Sequence, residues 1–150
     1  MSNASPYRRV VTGLGEDGKS RILIDGPIDR AEVASSYVWR SAIPADNSGS
    51  ADTAVPFTID MVHYDGGNFI LIEFPPGMQP FMHATDTLDY IVMLKGEVHF
   101  ATETGEVTLK PGDFVVNRGT MHAWRNDGPE TAVLAAMTVP SKPLGQGRTI

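Results

Sequence analysis

The sequence contains no cysteine. This absence excludes a disulfide framework, a thiolate metal site and a cysteine nucleophile, so a bound metal would need histidine, carboxylate or water ligands. Basic residues are also scarce, with 12 Lys and Arg against 18 Asp and Glu and a formal net charge of -6. A negative field of this kind repels phosphate backbones, so we expect no nucleic-acid partner.

Long apolar segments are missing as well. No run approaches the roughly 20 apolar residues of a membrane-spanning helix. A secretory signal has an apolar stretch after a basic start. The first residues, Met1 to Pro6, do not have this pattern. We therefore expect a soluble, cytoplasmic protein with no membrane partner.

Glycine and proline, in contrast, are frequent, with 15 and 11 copies in 150 residues. They separate short runs that are rich in β-branched and aromatic residues, which is typical of strands. The predicted strands are 9–12, 20–24, 36–41, 58–64, 69–74, 89–94, 97–102, 107–109, 114–116, 122–125 and 132–139. Pro111 and Gly112 occupy the second and third places of a predicted type II turn. Only a weak helical turn, within 29–35, interrupts the pattern.

Many short strands without helices between them predict an all-β fold, either a closed barrel or a jelly roll, and 150 residues suffice for one hydrophobic core. We expect residues 66–140 to form the barrel and residues 1–65 to form an N-terminal extension of strands packed on it. Within that extension, 45–54 has almost nothing to bury and is predicted to be a mobile loop. Residues 141–150 are predicted to form a surface tail, or to reach a neighbouring subunit.

Two segments combine a glycine turn with a histidine, one leading from Gly77 to His83 and the other from Gly112 to His122. Alternate side chains of a strand lie on the same face. His83 therefore shares a face with Thr85, and Asp89 shares a face with Ile91 and Met93. By the same parity, His122 goes with Trp124 and Asn126. If these faces line one lumen, it contains two imidazoles and a carboxylate, which is the ligand set of the facial triad that holds Fe(II).

The first segment resembles the first motif of the cupin superfamily. In that motif a glycine, five residues, His-x-His, three or four residues, Glu, six residues and a glycine follow one another. This chain has Gly77, five residues, His83-Ala84-Thr85, three residues, Asp89, six residues and Gly96. The spacing is kept, but Thr85 stands at the second histidine position and Asp89 at the glutamate position.

The second segment resembles the second cupin motif, through Gly119, His122 and Asn126. The resemblance covers residues 66–140 and implies a cupin barrel with an N-terminal strand extension, a homodimer and a metal-dependent enzyme. The implied metal ligands are His83, Asp89 and His122, with Fe(II) as first choice, Mn, Ni or Zn as alternatives, and no metal as a further alternative.

Four residues near these ligands are predicted to bind a small-molecule substrate: Phe81, Thr85, Met93 and Trp124. No residue is assigned a catalytic role. Several readings stay open at this point. His83 fits a ligand or a hydrogen-bonded histidine at the barrel mouth, Asp89 fits a ligand or a structural carboxylate, and Thr85 fits a hydrogen-bond donor or a neutral replacement for a ligand.

The resemblance implies an enzyme acting on a small, fairly apolar molecule, phenolic or polyketide-derived, through an oxygenase-type (dioxygenase, oxidoreductase) or isomerase or lyase reaction. The alternative is a non-catalytic or metal-poor cupin that binds a small molecule and acts in regulation. The substitution at Thr85 is the feature that separates these hypotheses, because a hydroxyl coordinates a divalent ion less strongly than an imidazole does.

Overall fold

A computed structural model describes residues 4–29, 35–54, 58 and 62–150. This part of the chain forms ten β-strands and, apart from one 3-10 turn at 62–63, no helix. The strands are β1 (Ala4–Leu14), β2 (Ser20–Asp29), β3 (Ser35–Ser41), β4 (Gly67–Phe74), β5 (Thr87–Lys95), β6 (Val98–Thr102), β7 (Glu106–Leu109), β8 (Phe114–Asn117), β9 (His122–Arg125) and β10 (Ala132–Pro140). The all-β prediction is confirmed.

The strands form three antiparallel sheets. The largest has the order β3-β4-β10-β5-β8, a second has the order β7-β6-β9, and the hairpin β1-β2 is the third. The two larger sheets face each other as in a jelly roll. Within the described residues, their hydrogen-bonded ladders do not join into one closed barrel, so the fully closed form of the prediction is corrected.

The hydrophobic core lies between the two larger sheets. Ile70, Ile91 and Leu134 of the five-stranded sheet belong to the same buried cluster as Val98 and Phe100 of the three-stranded sheet. Each such side chain contributes about 1.5–3 kcal/mol when it is fully buried. The core residues follow the period of two that a strand with one buried face requires. The inward faces of β5 and β10 are therefore determined by local sequence.

The hairpin β1-β2 covers part of the other face of the five-stranded sheet. Its Ile28 forms a second buried cluster with Leu71 and Val133. The segment 45–54 has no strand or helix, as predicted. Its last residues are nevertheless attached to the sheet and the hairpin, because Asp52 pairs with the buried Arg9 and Thr53 Oγ1 donates to Arg40 O at 2.7 Å.

Two local predictions have a different outcome. Of the predicted strand 58–64, residues 59–61 lie outside the described residues, and 58 and 62–64 are not in a strand. The predicted helical turn at 29–35 falls mostly on 30–34, which also lie outside the described residues. A search of the described residues for a helix with the length and hydropathy to cross a bilayer finds none.

The C-terminal segment runs beside the residues that follow His83. Ser141 N donates to Asp86 O at 3.0 Å, and Thr149 N donates to Ala84 O at 2.9 Å. In return, Ala84 N donates to Thr149 Oγ1 at 2.9 Å. These contacts fix the backbone that carries His83 and Thr85, although most side chains of 141–150 are exposed.

Candidate functional site

The two histidines of the glycine-turn segments meet in space. The backbone of His83 pairs with that of His122 in an isolated antiparallel bridge, with both N–H···O distances at 2.9 Å. Their ring centroids are 4.4 Å apart. Strand β9 supplies His122, while His83 lies in the segment before β5. The bridge thus brings together two imidazoles that are 39 positions apart in the sequence.

Both imidazoles are oriented by the same kind of backbone contact. Nδ1 of His83 lies 2.8 Å from Phe81 O, and Nδ1 of His122 lies 2.8 Å from Thr120 O. A carbonyl oxygen only accepts, so each Nδ1 carries the proton and donates. In the neutral form of each ring, Nε2 is then the nitrogen without a hydrogen, available to a proton or a metal ion.

The rings border a cavity of about 100 Å³. Its lining is apolar on one side and polar on the other. The apolar side consists of Val62, Ile70, Ile72, Ile91, Trp124, Leu134 and Ala136, and the polar side consists of His83, Thr85, Thr87, Asp89, His122 and Thr138. This division is typical of small-molecule sites, where apolar walls bind and a few polar groups orient the ligand.

Asp89 lies at the polar side and is hydrogen-bonded through both carboxylate oxygens. Thr87 Oγ1 donates to Oδ1 at 2.7 Å, and Asn117 Nδ2 donates to Oδ2 at 3.2 Å. Because the Thr87 hydrogen is used in this way, the 2.6 Å contact between the Thr85 and Thr87 hydroxyls has Thr85 as its donor. Two hydroxyls thus connect the carboxylate with the cavity.

Burial changes the charge preference of two groups in this site. It raises the pKa of Asp89, against the opposing effects of the hydrogen bonds from Thr87 and Asn117 and of the nearby His83. Burial lowers the pKa of His122, and His83 lowers it further, while the hydrogen bond to Thr120 O acts in the opposite direction. The site therefore favours a neutral His122.

A polar row crosses the inward face of the whole five-stranded sheet. The strand register places five residues side by side, which we call the inner row: Arg40, Asn68, Thr138, Asp89 and Asn117. Arg40 Nε donates to Asn68 Oδ1 at 3.0 Å, and Asn68 Nδ2 donates to Thr138 Oγ1 at 3.2 Å. The first residue of the row, Arg40, is thus a cation, and the fourth, Asp89, is a carboxylic acid.

The side chain of Asn117 lies beside two members of the predicted triad, Asp89 and His122. Both oxygens of Asp89 already accept hydrogen bonds. The Asn117 amide nitrogen lies 3.2 Å from Asp89 Oδ2 and 3.5 Å from His122 Nε2, so an N–H donor stands between two of the three predicted ligands. Within the part of the chain that the structure describes, no group of three His, Asp or Glu side chains has the geometry to hold a metal ion.

The structure brings most of the predicted site residues together. His83, Thr85, Asp89, His122 and Trp124 all border the cavity. The other two predicted substrate-binding residues do not. Met93 has the inward parity expected for it, but it lies deeper, in the core, and is 1% exposed. Phe81 is 65% exposed and stacks on the His83 ring from outside, with centroids 5.5 Å apart.

Three site residues were not singled out from the sequence: Thr87, Asn117 and Thr138. Thr87 had a usable signal, because it is two positions before Asp89 and shares its face. Asn117 and Thr138 reach Asp89 only through the register of β8 and β10 with β5. No local pattern announces such a register when the partner strands are distant in sequence.

Residues 70–139 match the family Cupin_2, described as a cupin domain. Together with the jelly-roll arrangement of the sheets, this match shows that residues 70–139 form a cupin domain, and the resemblance inferred from the two motifs is confirmed. The three motif residues His83, Asp89 and His122 all lie inside the matched range.

Relatives are found among fungal proteins. Phomopsin biosynthesis cluster protein C' of Diaporthe leptostromiformis is 37% identical over 82 residues, which are 53% of this chain and 43% of that protein. Cupin-domain-containing oxidoreductase srdD of Neurospora crassa is 33% identical over 131 residues, 79% of this chain and 65% of that protein. The chain thus spans less than two thirds of the length of these relatives.

Among solved structures, the DMSP lyase DddQ of Ruegeria pomeroyi is similar to this chain, with 21% identity and a TM-score of 0.47 over 55% of this chain and 42% of that one. A likeness at this level says nothing about activity.

Proposed function

We propose that this cupin is an enzyme that binds a compact, mostly apolar molecule in the cavity and moves a proton on it, in a reaction of the isomerase or lyase type. The observation that carries the proposal is geometric. Two imidazoles with their Nδ1 atoms bound to backbone carbonyls border a partly apolar cavity, beside a buried carboxylate. This arrangement lets one group of the protein accept a proton from a small ligand while another group donates a proton to it.

The roles follow from the hydrogen bonds. A neutral His122, or His83 beside it, has an unprotonated Nε2 that accepts a proton from a carbon or oxygen atom of the bound molecule. When Asp89 is protonated, the hydrogen bonds run in the opposite sense, from Asp89 to Thr87 and from Thr87 to Thr85. The Thr85 hydroxyl then returns a proton to another atom of the molecule, and the proton of Asp89 replaces it through Thr87. The directions of the pKa shifts agree with these roles, because burial favours the neutral form of both His122 and Asp89.

The substrate class rests on the cavity and on the relatives. The walls are mainly aliphatic, with the indole of Trp124 as an aromatic surface. One relative carries the name of a biosynthesis cluster, and another is named an oxidoreductase. These features support a small phenolic or polyketide-derived molecule as the substrate.

A second candidate is the metal-dependent, oxygenase-type enzyme expected from the motif. One observation favours it: both Nδ1 atoms are held by carbonyl oxygens, which is how proteins orient histidines that bind metals through Nε2. Here His83 and His122 would be the ligands, and Asp89 would first have to give up its hydrogen bond to Asn117.

Elemental analysis separates the two candidates. We expect the purified protein to contain less than stoichiometric Fe, Mn, Ni and Zn, both as isolated and after anaerobic incubation with Fe(II). A stoichiometric metal that disappears in His122→Ala would instead support the metal-dependent enzyme.

Proton transfer is tested with metal-free protein in D2O, by following deuterium incorporation next to the carbonyl of small cyclic ketones and diketones by NMR. We expect acceleration by the protein, and a loss of about 10²-fold in His122→Asn, because a positioned base contributes on that order. The matched control is His99→Asn, which changes a histidine bound to Thr108 on the three-stranded sheet, outside the cavity lining. No acceleration by the wild type would contradict the proposal.

A further inference from the structure

We infer that Thr138 donates a hydrogen bond to a carbonyl oxygen of the bound molecule and thereby orients it in the cavity. The inference rests on the proposed function and specifies its substrate class: a compact molecule with a carbonyl group. Thr138 lies outside both histidine segments. It enters the site because β10 lies between β4 and β5 in the sheet.

The chain of hydrogen bonds behind Thr138 has one direction. Arg40 Nε–H donates to Asn68 Oδ1 at 3.0 Å, and Asn68 Nδ2–H donates to Thr138 Oγ1 at 3.2 Å. A hydroxyl has one hydrogen to donate besides its acceptor sites. Since Thr138 Oγ1 accepts from Asn68, the next bond in this direction is the one that its own O–H donates.

The surroundings of Thr138 direct that donation toward the cavity. Its register neighbour on β5 is Asp89, but the hydrogen bonds that Asp89 accepts come from Thr87 and Asn117 and not from Thr138. On the same face of β10, the next residue that borders the cavity is Ala136, which has no acceptor in its side chain. An oxygen atom of a ligand in the cavity is therefore the natural acceptor.

The cation at the start of the chain strengthens the donor. The Arg40 guanidinium lies over the Tyr64 ring at 3.8 Å and over the Tyr37 ring at 4.7 Å from their centroids, which fixes it in place. Hydrogen bonds aligned in one sense polarise one another in a buried site, and a charged donor makes the first bond stronger. The Thr138 hydroxyl is thus a better donor than an isolated threonine.

The hydrogen-bond donor and the proton acceptors lie at different parts of the cavity. Thr138 supplies a donor at one part of the polar side, while the unprotonated Nε2 atoms of His83 and His122 supply acceptors at another. A carbonyl compound fits both, because its oxygen accepts from Thr138 while a hydrogen next to the carbonyl faces an imidazole. Polarising the carbonyl oxygen also makes that hydrogen more acidic, which is what the proposed proton transfer requires.

The experiment compares a ketone with a hydrocarbon of the same shape. Binding of cyclohexanone and of methylenecyclohexane to the metal-free protein is measured by NMR titration, for the wild type, Thr138→Val, Thr138→Ser and the exposed control Thr108→Val. We expect the wild type to bind the ketone roughly tenfold more tightly than the hydrocarbon, as one net hydrogen bond to a neutral group allows. Thr138→Val should abolish this preference, while Thr138→Ser and Thr108→Val should keep it.

The infrared carbonyl stretch of bound cyclohexanone gives a second readout, which a change in protein stability would not imitate. It should lie at lower frequency in the wild type and in Thr138→Ser than in Thr138→Val, and Arg40→Gln should give an intermediate value. If both probes bind the wild type equally, and Thr138→Val leaves the stretch unchanged, the role of Thr138 is overturned while the proposed function stands. If neither probe binds, the inference and the small-molecule cavity fail together.

Discussion

The two faces of the five-stranded sheet reverse the usual distribution of polarity. The residues next to the inner row, one position along each strand, lie on the opposite face of the sheet, and we call them the outer row. They are Trp39, Phe69, Met137, Tyr90 and Val116. The last four members of the outer row are 44–59% exposed and apolar or aromatic, whereas Asn68, Thr138, Asp89 and Asn117 of the inner row are 1–9% exposed and polar.

The difference shows what the inner row is for. Burying polar side chains has a free-energy cost unless hydrogen bonds compensate it, and an apolar row would fill the same space more cheaply. In this sheet the adjacent inward row, with Ile70, Ala136 and Ile91, is apolar and belongs to the core. Both rows reach the cavity, but only the polar row brings hydrogen-bonding groups to it, through Thr138 and Asp89. This is the pattern expected when polarity serves a ligand rather than folding.

Removing a member of the inner row should have the largest effect on stability. Asn117 donates to Asp89 and accepts from Thr120 Oγ1 at 3.0 Å, so Asn117→Ala removes a donor from the buried Asp89 and the acceptor of the exposed Thr120 hydroxyl. We expect the free energy of unfolding to fall by about 2–3 kcal/mol. The matched change is Val116→Ala, next to it on the outer face, which should cost less than about 1 kcal/mol. Urea unfolding measures both, and equal losses would contradict the contrast between the two faces.

The pH dependence of stability should distinguish the cavity side from the outer row, which has no group that titrates between pH 5 and 8. The pKa of His122 is lowered in the folded state by burial, while the unfolded chain has its ordinary value of about 6.5. The unfolded chain therefore binds more protons below that pH. The stabilisation is complete above about pH 6.5 and is lost as the pH falls toward the folded-state pKa.

The measurement is urea unfolding of the wild type and of His122→Asn between pH 7.5 and 5.5. The wild type should lose more stability than the variant over this range. His83 and Asp89 are the ionisable side chains that face His122 in the cavity. The raised pKa of Asp89 acts with the opposite sign, since its protonation stabilises the folded state as the pH falls. The difference between the two proteins isolates His122, and parallel curves would contradict its lowered pKa.

Changes in the outer row should have the smallest effect in a monomer. Met137 is 47% exposed, so Met137→Thr should change the free energy of unfolding by no more than about 0.5 kcal/mol in dilute protein. The homodimer expected from the motifs stays a prediction, and this variant also bears on it. A stability loss that grows with protein concentration would indicate that the outer row is buried between two copies.

Much of the fold could be read from local patterns. The strand 122–125 was predicted with its observed limits, and 69–74, 89–94 and 132–139 differ from β4, β5 and β10 by one or two residues at either end. The turn at Pro111-Gly112 is confirmed by the positive φ of 91° at Gly112 and by the 3.0 Å bond from Asp113 N to Lys110 O. Alternating burial and glycine turns are local signals, which explains this success.

The candidate site was only partly legible. The spacing of two motifs identified His83, Asp89 and His122 as neighbours in one lumen, and all three border the cavity. Parity determines which face a side chain lies on but not how far from the cavity it lies along the strand. Met93 was therefore predicted to bind the substrate, although it packs in the core. Parity also could not show that an asparagine from β8 would stand between Asp89 and His122.

Local sequence alone decided which residues form strands and which face of each strand is apolar, because period and turn chemistry act over a few residues. That the two histidines border one cavity depends on the bridge between their segments, which lie far apart in the sequence. Only the tertiary structure decided that β10 lies between β4 and β5 and that β8 pairs with β5. That register places Thr138 next to Asn68, and Asn117 next to Asp89. Hydrogen bonds between residues that are 70 and 28 positions apart depend on strand order, which no single strand encodes.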